Sequence, residues 1–254
     1  KQALHRFRQA ATGSLGALAL LAASVGQAAE PVPVRILLVT GGHGYETNQF
    51  TAMFEKMPGI TLLTATHPEA HDWLTKERAT AYDVLVLYDM WQDISEEGRR
   101  NFTARLEEGK GLVALHHSLA NYQNWPEFEQ IIGGRYNLEP RLVDGQARPA
   151  STYLHDVQMQ VHVAGREHPV TRGLRDFEIH DETYGKFDTD PRVQTLLTSR
   201  EPTSSPVIAW ATTYERARVV YIQLGHDHLA YENANYRLLV RNAIRWTAKR
   251  DQDE

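Results

Sequence analysis

The chain has 254 residues, of which 42% are hydrophobic and 23% are charged, and its formal net charge is -5. These values are typical of a globular protein with a substantial core, and the lack of a basic block argues against a nucleic-acid partner. Because cysteine is absent, thiol nucleophiles, thiolate metal sites and disulfides are excluded.

The N-terminal residues 1–28 resemble a secretory signal. Basic residues precede an apolar stretch at residues 15–25, and small residues follow at the expected cleavage point. This stretch is too short for a stable transmembrane span, and no other segment is sufficiently apolar. We therefore expect a periplasmic or secreted protein with no membrane partner after cleavage, and a single domain at residues 34–248.

The first half of that domain alternates between strand and helix patterns. Apolar runs rich in β-branched residues predict strands at residues 34–40, 60–66, 83–88 and 111–115. Helices are predicted at residues 47–57, 73–80, 95–108 and 127–132, where capping residues, acidic first turns, proline and glycine mark their ends. This order predicts an α/β fold with a doubly wound, mostly parallel sheet.

In the second half, the alternation of strand and helix patterns stops. Residues 135–200 contain short alternating runs, which predict a β-rich insertion. Two further strands at residues 206–211 and 218–224 and a closing helix at residues 233–247 follow it.

Three apolar runs end in histidine, at His43, His116 and His226. Open α/β sheets bind ligands at the carboxyl ends of their strands, so we expect these imidazoles to share one pocket. Since side chains alternate across a strand, only one of His116 and His117 should face a cleft, and we favour His116.

A carboxylate, that of Glu182, completes the candidate set. Its polar segment is also compatible with a simple turn. Three imidazoles and one carboxylate suit Zn, Mn, Fe or Ni, while the same groups can work without metal as a base and its charged partners. The candidates for catalysis, and for metal ligation, are His43, His116, Glu182 and His226. No nucleotide cofactor is expected, because the G-x-G-x-x-G spacing is absent.

Aromatic and acidic side chains near the predicted strand ends suit a small carbohydrate, since a sugar packs its C–H face on rings and its hydroxyls on polar groups. The candidate substrate-binding residues are Tyr45, Trp91, Tyr122, Asp181, Tyr184 and Asp227. Each aromatic residue alone is equally typical of ordinary packing, and Asp227 can instead orient His226.

Five segments of the chain resemble the ThuA-like (trehalose-utilisation) family over about residues 34–248. These segments are residues 40–45, 111–117, 181–184, 206–210 and 218–227. The resemblance implies a flavodoxin-like fold of the class I glutamine amidotransferase type. It argues against glutaminase chemistry, because His116-His117-Ser118 stands where amidotransferases carry the nucleophilic cysteine, and His228 stands where they carry a glutamate.

The resemblance also implies a role in disaccharide catabolism through 3-keto-sugars. A ketone at C3 acidifies the C2 proton, which a base can remove while a metal or imidazolium stabilises the enediolate. We therefore expect an enzyme (a lyase, isomerase or hydrolase) that acts on a keto-sugar or related glycoside. The alternative is a non-catalytic carbohydrate-binding or accessory module that uses the same cleft.

Overall fold

The computed structural model describes residues 32–251, so the predicted export signal at residues 1–28 lies outside the described residues. Within residues 32–251, no helix has both the length and the apolar character needed to cross a bilayer.

The described residues contain thirteen β-strands and five α-helices. In chain order the strands are β1 Val34–Gly41, β2 Ile60–Thr66, β3 Val84–Asp89, β4 Gly111–Leu115, β5 Gly134–Arg135, β6 Arg141–Val143, β7 Gln146–Arg148, β8 Thr152–Val163, β9 Phe177–Gly185, β10 Asp188–Thr189, β11 Gln194–Ser199, β12 Val207–Tyr214 and β13 Ala217–Ile222. The helices are α1 Thr47–Glu55, α2 Glu96–Glu107, α3 Pro126–Ile132, α4 His228–Glu232 and α5 Ala234–Thr247. Short 3-10 turns lie at Glu69–Leu74, Arg78–Ala81, His116–Ala120 and Pro169–Thr171.

Nine strands form one sheet in the order β2-β1-β3-β4-β13-β12-β11-β8-β9. The five strands from β2 to β13 pair in parallel, and the remaining four pair antiparallel. The parallel part has the 2-1-3-4-5 order of flavodoxin-like sheets, and the predicted doubly wound α/β class is confirmed.

Burial on both faces explains why the parallel strands are almost continuously apolar. On β1, Ile36 and Leu38 pack into one core, which also contains side chains of α1 and α5. The alternate residues Leu37 and Val39 pack into a second core with side chains of α2 and α3. The sheet is therefore the middle layer of three.

Three strands of the predicted β-rich insertion, β8, β9 and β11, extend the main sheet, whereas β5 pairs with β10 and β6 pairs with β7 in two separate small sheets. Only residues 161–163 of β8 pair with β11, whereas its pairing with β9 runs from residue 152 to residue 161. The free length of this β8–β9 ribbon folds back over the parallel strands, where the Gln223 amide donates to the Glu182 carbonyl at 2.8 Å. The edge of the sheet thereby meets the carboxyl ends of β4 and β13.

Candidate active site

The turn after β4 places two imidazoles on the same side. The strand ends at Leu115, and a 3-10 turn begins at His116, whose φ of 49° lies in the left-handed region. Strand alternation therefore does not apply beyond Leu115, and both His116 and His117 reach the site region, which corrects the expectation that only one would. A left-handed non-glycine residue is uncommon and is held by its surroundings, as often happens at functional sites.

His116 is fully buried at the centre of a cluster with Glu182 and His226. Its Nε2 lies 2.9 Å from Glu182 Oε2 and 3.3 Å from His226 Nδ1, and the third edge, from His226 Nδ1 to Glu182 Oε2, is 3.3 Å. The Tyr184 hydroxyl lies 3.0 Å from the same Nε2. Three of the four predicted catalytic residues thus converge from β4, β9 and the loop after β13.

Asp181 supports this cluster through hydrogen bonds to its backbone. Its buried carboxylate accepts three backbone N–H groups, those of Glu182 at 2.8 Å, Gly225 at 2.7 Å and His226 at 2.9 Å. Burial raises the pKa of Asp181, against the effects of His116 and these N–H donors. Asp181 therefore fixes the backbone on which Glu182 and His226 stand, and it is not free to bind substrate as the sequence suggested.

The hydrogen bonds of His116 determine where its proton sits. Its Nδ1 lies 2.6 Å from the Gln223 carbonyl oxygen, which can only accept, so Nδ1 carries a proton. In a neutral ring the Nε2 lone pair would then face the Glu182 carboxylate. A metal ion at the centre of the cluster would be bound by this lone pair and by the carboxylate together.

The carboxylate of Glu182 remains ionised in this environment. Burial opposes its charge, but hydrogen bonds with His116 and His226 outweigh burial and lower the pKa of Glu182. Conversely, the hydrogen bond with Glu182 raises the pKa of His226 in spite of desolvation.

The donor set fits a borderline divalent cation. Ligand atoms bound at 2.0–2.2 Å lie about 3.0–3.5 Å from one another, and the edges of the cluster are 2.9, 3.3 and 3.3 Å. The backbone carbonyl on His116 Nδ1 is the outer contact that usually fixes the tautomer of a metal-binding histidine. His116, Glu182 and His226 can therefore hold a metal ion, whereas His43 is outside this group.

A cavity of about 280 Å³ adjoins the cluster and opens onto Glu182 and Tyr184. His43 and His117 line it together, with their rings stacked at a centroid distance of 4.5 Å. Burial lowers the pKa of His117 well below its usual range and also lowers the pKa of His43, so both imidazoles are neutral near pH 7.

Sequence analysis missed one histidine of the site, His155. Its Nδ1 lies 3.3 Å from Glu182 Oε1, and its ring contacts that of His226 at 4.6 Å. The register that pairs Leu154 with Thr183 places His155 opposite Glu182, and a β-bulge follows directly, since the register changes before Val157 and Asp156 has a φ of 58°. The only sequence signal was a histidine-aspartate pair inside an otherwise alternating strand.

Tyr184 lines the cavity, but the other predicted substrate contacts lie elsewhere. Tyr45 packs edge-on against Phe50 and Tyr88, and Asp227 accepts the Leu229 N–H as the cap of α4. Trp91 stacks on His67, and the Tyr122 hydroxyl contacts His71 Nε2 at 3.0 Å. These four side chains are not among the cavity's lining residues, because they pack against other rings, cap α4 or contact His67 and His71 instead.

Comparison with known proteins supports the fold and the family. A model of the ThuA family, described as trehalose utilisation, matches residues 35–247. The structure resembles that of a protein described as ThuA-like from Parabacteroides merdae, with a TM-score of 0.72 and 19% identity over 85% of this chain and 90% of that one. A second such protein, from Bacteroides uniformis, has a TM-score of 0.65 and 23% identity over 90% and 98% of the two chains.

PurLQS from Thermotoga maritima has a TM-score of 0.53 and 10% identity over 84% of this chain and 99% of its own. At these identities the likenesses establish the fold alone, and they confirm the predicted glutamine amidotransferase-like architecture. No curated protein matches the chain. Because the family model spans nearly all of the described residues, the chain belongs to the ThuA (trehalose utilisation) family.

Proposed function

We propose that the protein is an enzyme that removes the proton next to the ketone of a keto-sugar or related glycoside. The observation that carries this proposal is the convergence of His116, Glu182 and His226 beside a cavity that contains a further, neutral histidine. In the proposal these three residues hold a divalent metal of the Zn, Mn, Fe or Ni type. A bound metal of this kind supplies Lewis acidity toward a carbonyl oxygen.

His43 is the best candidate for the base. Its Nδ1 lies 2.7 Å from the Gly44 carbonyl, which accepts the Nδ1 proton and leaves the lone pair on Nε2. Because partial burial lowers the pKa of His43, this lone pair is available near pH 7. Nε2 takes the C2 proton, the C2–H electron pair forms the C2–C3 double bond, and the π pair of the C3 ketone moves onto its oxygen, which gives the enediolate.

The remaining polar groups orient and protect the reacting ring. Burial raises the pKa of Tyr184 well above its usual range, so its hydroxyl keeps its proton and can donate to a ligand oxygen or to Glu182. The ring of Tyr184 lines the cavity, and such a face suits the C–H surface of a sugar. A carbohydrate substrate is therefore the class that this cavity fits best.

The test combines metal analysis with turnover of 3-keto-glycosides and their unoxidised parents. We expect about one equivalent of a divalent metal and turnover of the keto forms only. Glu182→Gln and His226→Gln should lose the metal and at least about a hundredfold in rate, because ligand and charge are both removed. His43→Gln should keep the metal and lose the rate.

His228→Gln is the matched control, because the His228 side chain pairs with Glu46 at 3.0 Å and does not line the cavity. It should keep both metal and rate. If the metal-loaded protein bound sugar but turned over no keto-glycoside, the enzyme hypothesis would be wrong and the binding-module alternative would take its place.

A further inference from the structure

The lining of the cavity beside the metal-binding cluster contains side chains of two chemical kinds. His43, His155, Glu182 and Tyr184 present polar groups. The second set, which we call the apolar rim, consists of Met90, Ala120, Tyr136, Leu138 and Tyr153. A ligand that fills the cavity must therefore match both a polar and an apolar environment.

Two residues of the apolar rim are exposed to solvent, whereas Ala120 and Tyr136 are buried. Tyr153 is 62% exposed and Leu138 is 36% exposed. Only six large hydrophobic residues are exposed among residues 32–251, and two of them line this one cavity. Exposed apolar side chains grouped at a cleft are typical of a ligand site, because leaving them in water costs free energy.

The apolar rim is a poor surface for a second sugar ring. Such a ring carries several hydroxyl groups, and each needs a hydrogen-bond partner when it is buried. The side chains of Met90, Ala120 and Leu138 offer none, and no Asn, Gln, Arg, Lys or Asp is among the described residues that line the cavity. The Tyr153 ring offers a flat apolar face, packed edge-on against His155 at 5.3 Å.

We infer that the substrates are glycosides with an apolar aryl or alkyl aglycone, rather than disaccharides. The sugar ring lies against Glu182 and Tyr184, and the aglycone packs on Tyr153, Leu138 and Met90. This inference rests on the proposed function, but it concerns the group attached to the sugar and is read from binding alone.

Calorimetry with unoxidised ligands tests the inference without any turnover. The probes are phenyl glucoside and a disaccharide of two glucose units, titrated into the metal-loaded protein. We expect phenyl glucoside to bind at least about tenfold more tightly, since burying an aromatic ring contributes that much. Tyr153→Ser should weaken phenyl glucoside about tenfold and leave the disaccharide nearly unchanged, while Tyr153→Phe should retain the affinity.

Leu142→Ser is the matched control for surface apolarity. Leu142 is 75% exposed and belongs to the same β-rich segment, but it does not line the cavity, so this variant should bind like the parent. Equal or tighter binding of the disaccharide, no binding of either probe, or equal weakening of both by Tyr153→Ser would overturn the inference. Failure of the proposed function appears separately, as inertness of all the 3-keto forms in the turnover assay.

Discussion

At the scale of single residues, two neighbouring carboxylates have different roles. Glu182 points its carboxylate into the metal-binding cluster, whereas Asp181 uses both of its oxygens on backbone N–H groups. The difference follows from alternation along β9, which sends adjacent side chains to opposite faces. Asp181 is thus a positioning residue that acts through Glu182 and His226.

Asp181→Asn tests this positioning role. The amide NH₂ of asparagine would face a backbone N–H donor, so a buried donor would lose its acceptor, and we expect a loss of roughly 1–3 kcal/mol in unfolding free energy. Metal affinity should fall about 10–100-fold, because the backbone that carries two ligands is released. Urea denaturation and metal titration measure the two effects.

Asp227→Asn provides the comparison, since it is the same substitution near the same histidine. Asp227 caps α4, and asparagine is an equally good cap, so stability and metal affinity should stay close to the parent values. If both variants lost metal affinity equally, the positioning role of Asp181 would be wrong.

At the scale of elements, a bulge in β8 follows the histidine that joins the site. The register that pairs Leu154 with Thr183 continues to place His155 opposite Glu182, and Asp156 next to it adopts a left-handed conformation. The bulge then shifts the register by one residue, so that Val157 pairs with Asp181.

Asp156→Val and Asp156→Gly form a pair that tests the bulge. Valine is strained at a φ of 58°, so Asp156→Val should cost roughly 1–2 kcal/mol and impair turnover by displacing His155. Glycine adopts this conformation freely, so Asp156→Gly should keep both stability and rate. Thermal unfolding and the keto-glycoside assay provide the measurements. Equal behaviour of the two variants would show that the backbone conformation at Asp156 does not matter.

At the scale of the whole molecule, histidines with a lowered pKa link stability to pH. Burial lowers the pKa of His43, His117 and His168, and lowers the pKa of His71 to about 4. Each group binds a proton more readily when unfolded, near its ordinary pKa of about 6.5. Unfolding therefore takes up protons between about pH 6.5 and 4, and stability falls as the pH falls through that window.

One histidine acts in the opposite direction. The hydrogen bond with Glu182 raises the pKa of His226, so its contribution is full below about pH 6.5 and is lost as the pH rises through the folded pKa. Because four histidines oppose one, we expect a lower urea midpoint at pH 5 than at pH 7 for the metal-free protein. His71→Gln should reduce that difference. A midpoint that is unchanged or higher at pH 5 would contradict this balance.

Much of the local structure could be predicted from sequence. The predicted strand at residues 60–66 matches β2, and proline and glycine signals bracket α3 as expected. Residues 73–80 were predicted as helix, but they form parts of two 3-10 turns, because Thr75 between the turns has an extended backbone with a φ of -62° and a ψ of 152°. These elements can be predicted because local burial and capping depend on residues that are close together in the sequence.

The sequence by itself determined the α/β class, the family and the three strand ends that carry His43, His116 and His226. Only the tertiary structure decided that His43 lies outside the metal-binding group and that His155 belongs to the site. It also decided that the carboxylates of Asp181 and Asp227 accept backbone N–H groups. These outcomes depend on the β8–β9 ribbon folding back over β4 and β13. That contact joins residues far apart in the chain, and no local periodicity encodes which distant strand end a sheet edge will meet.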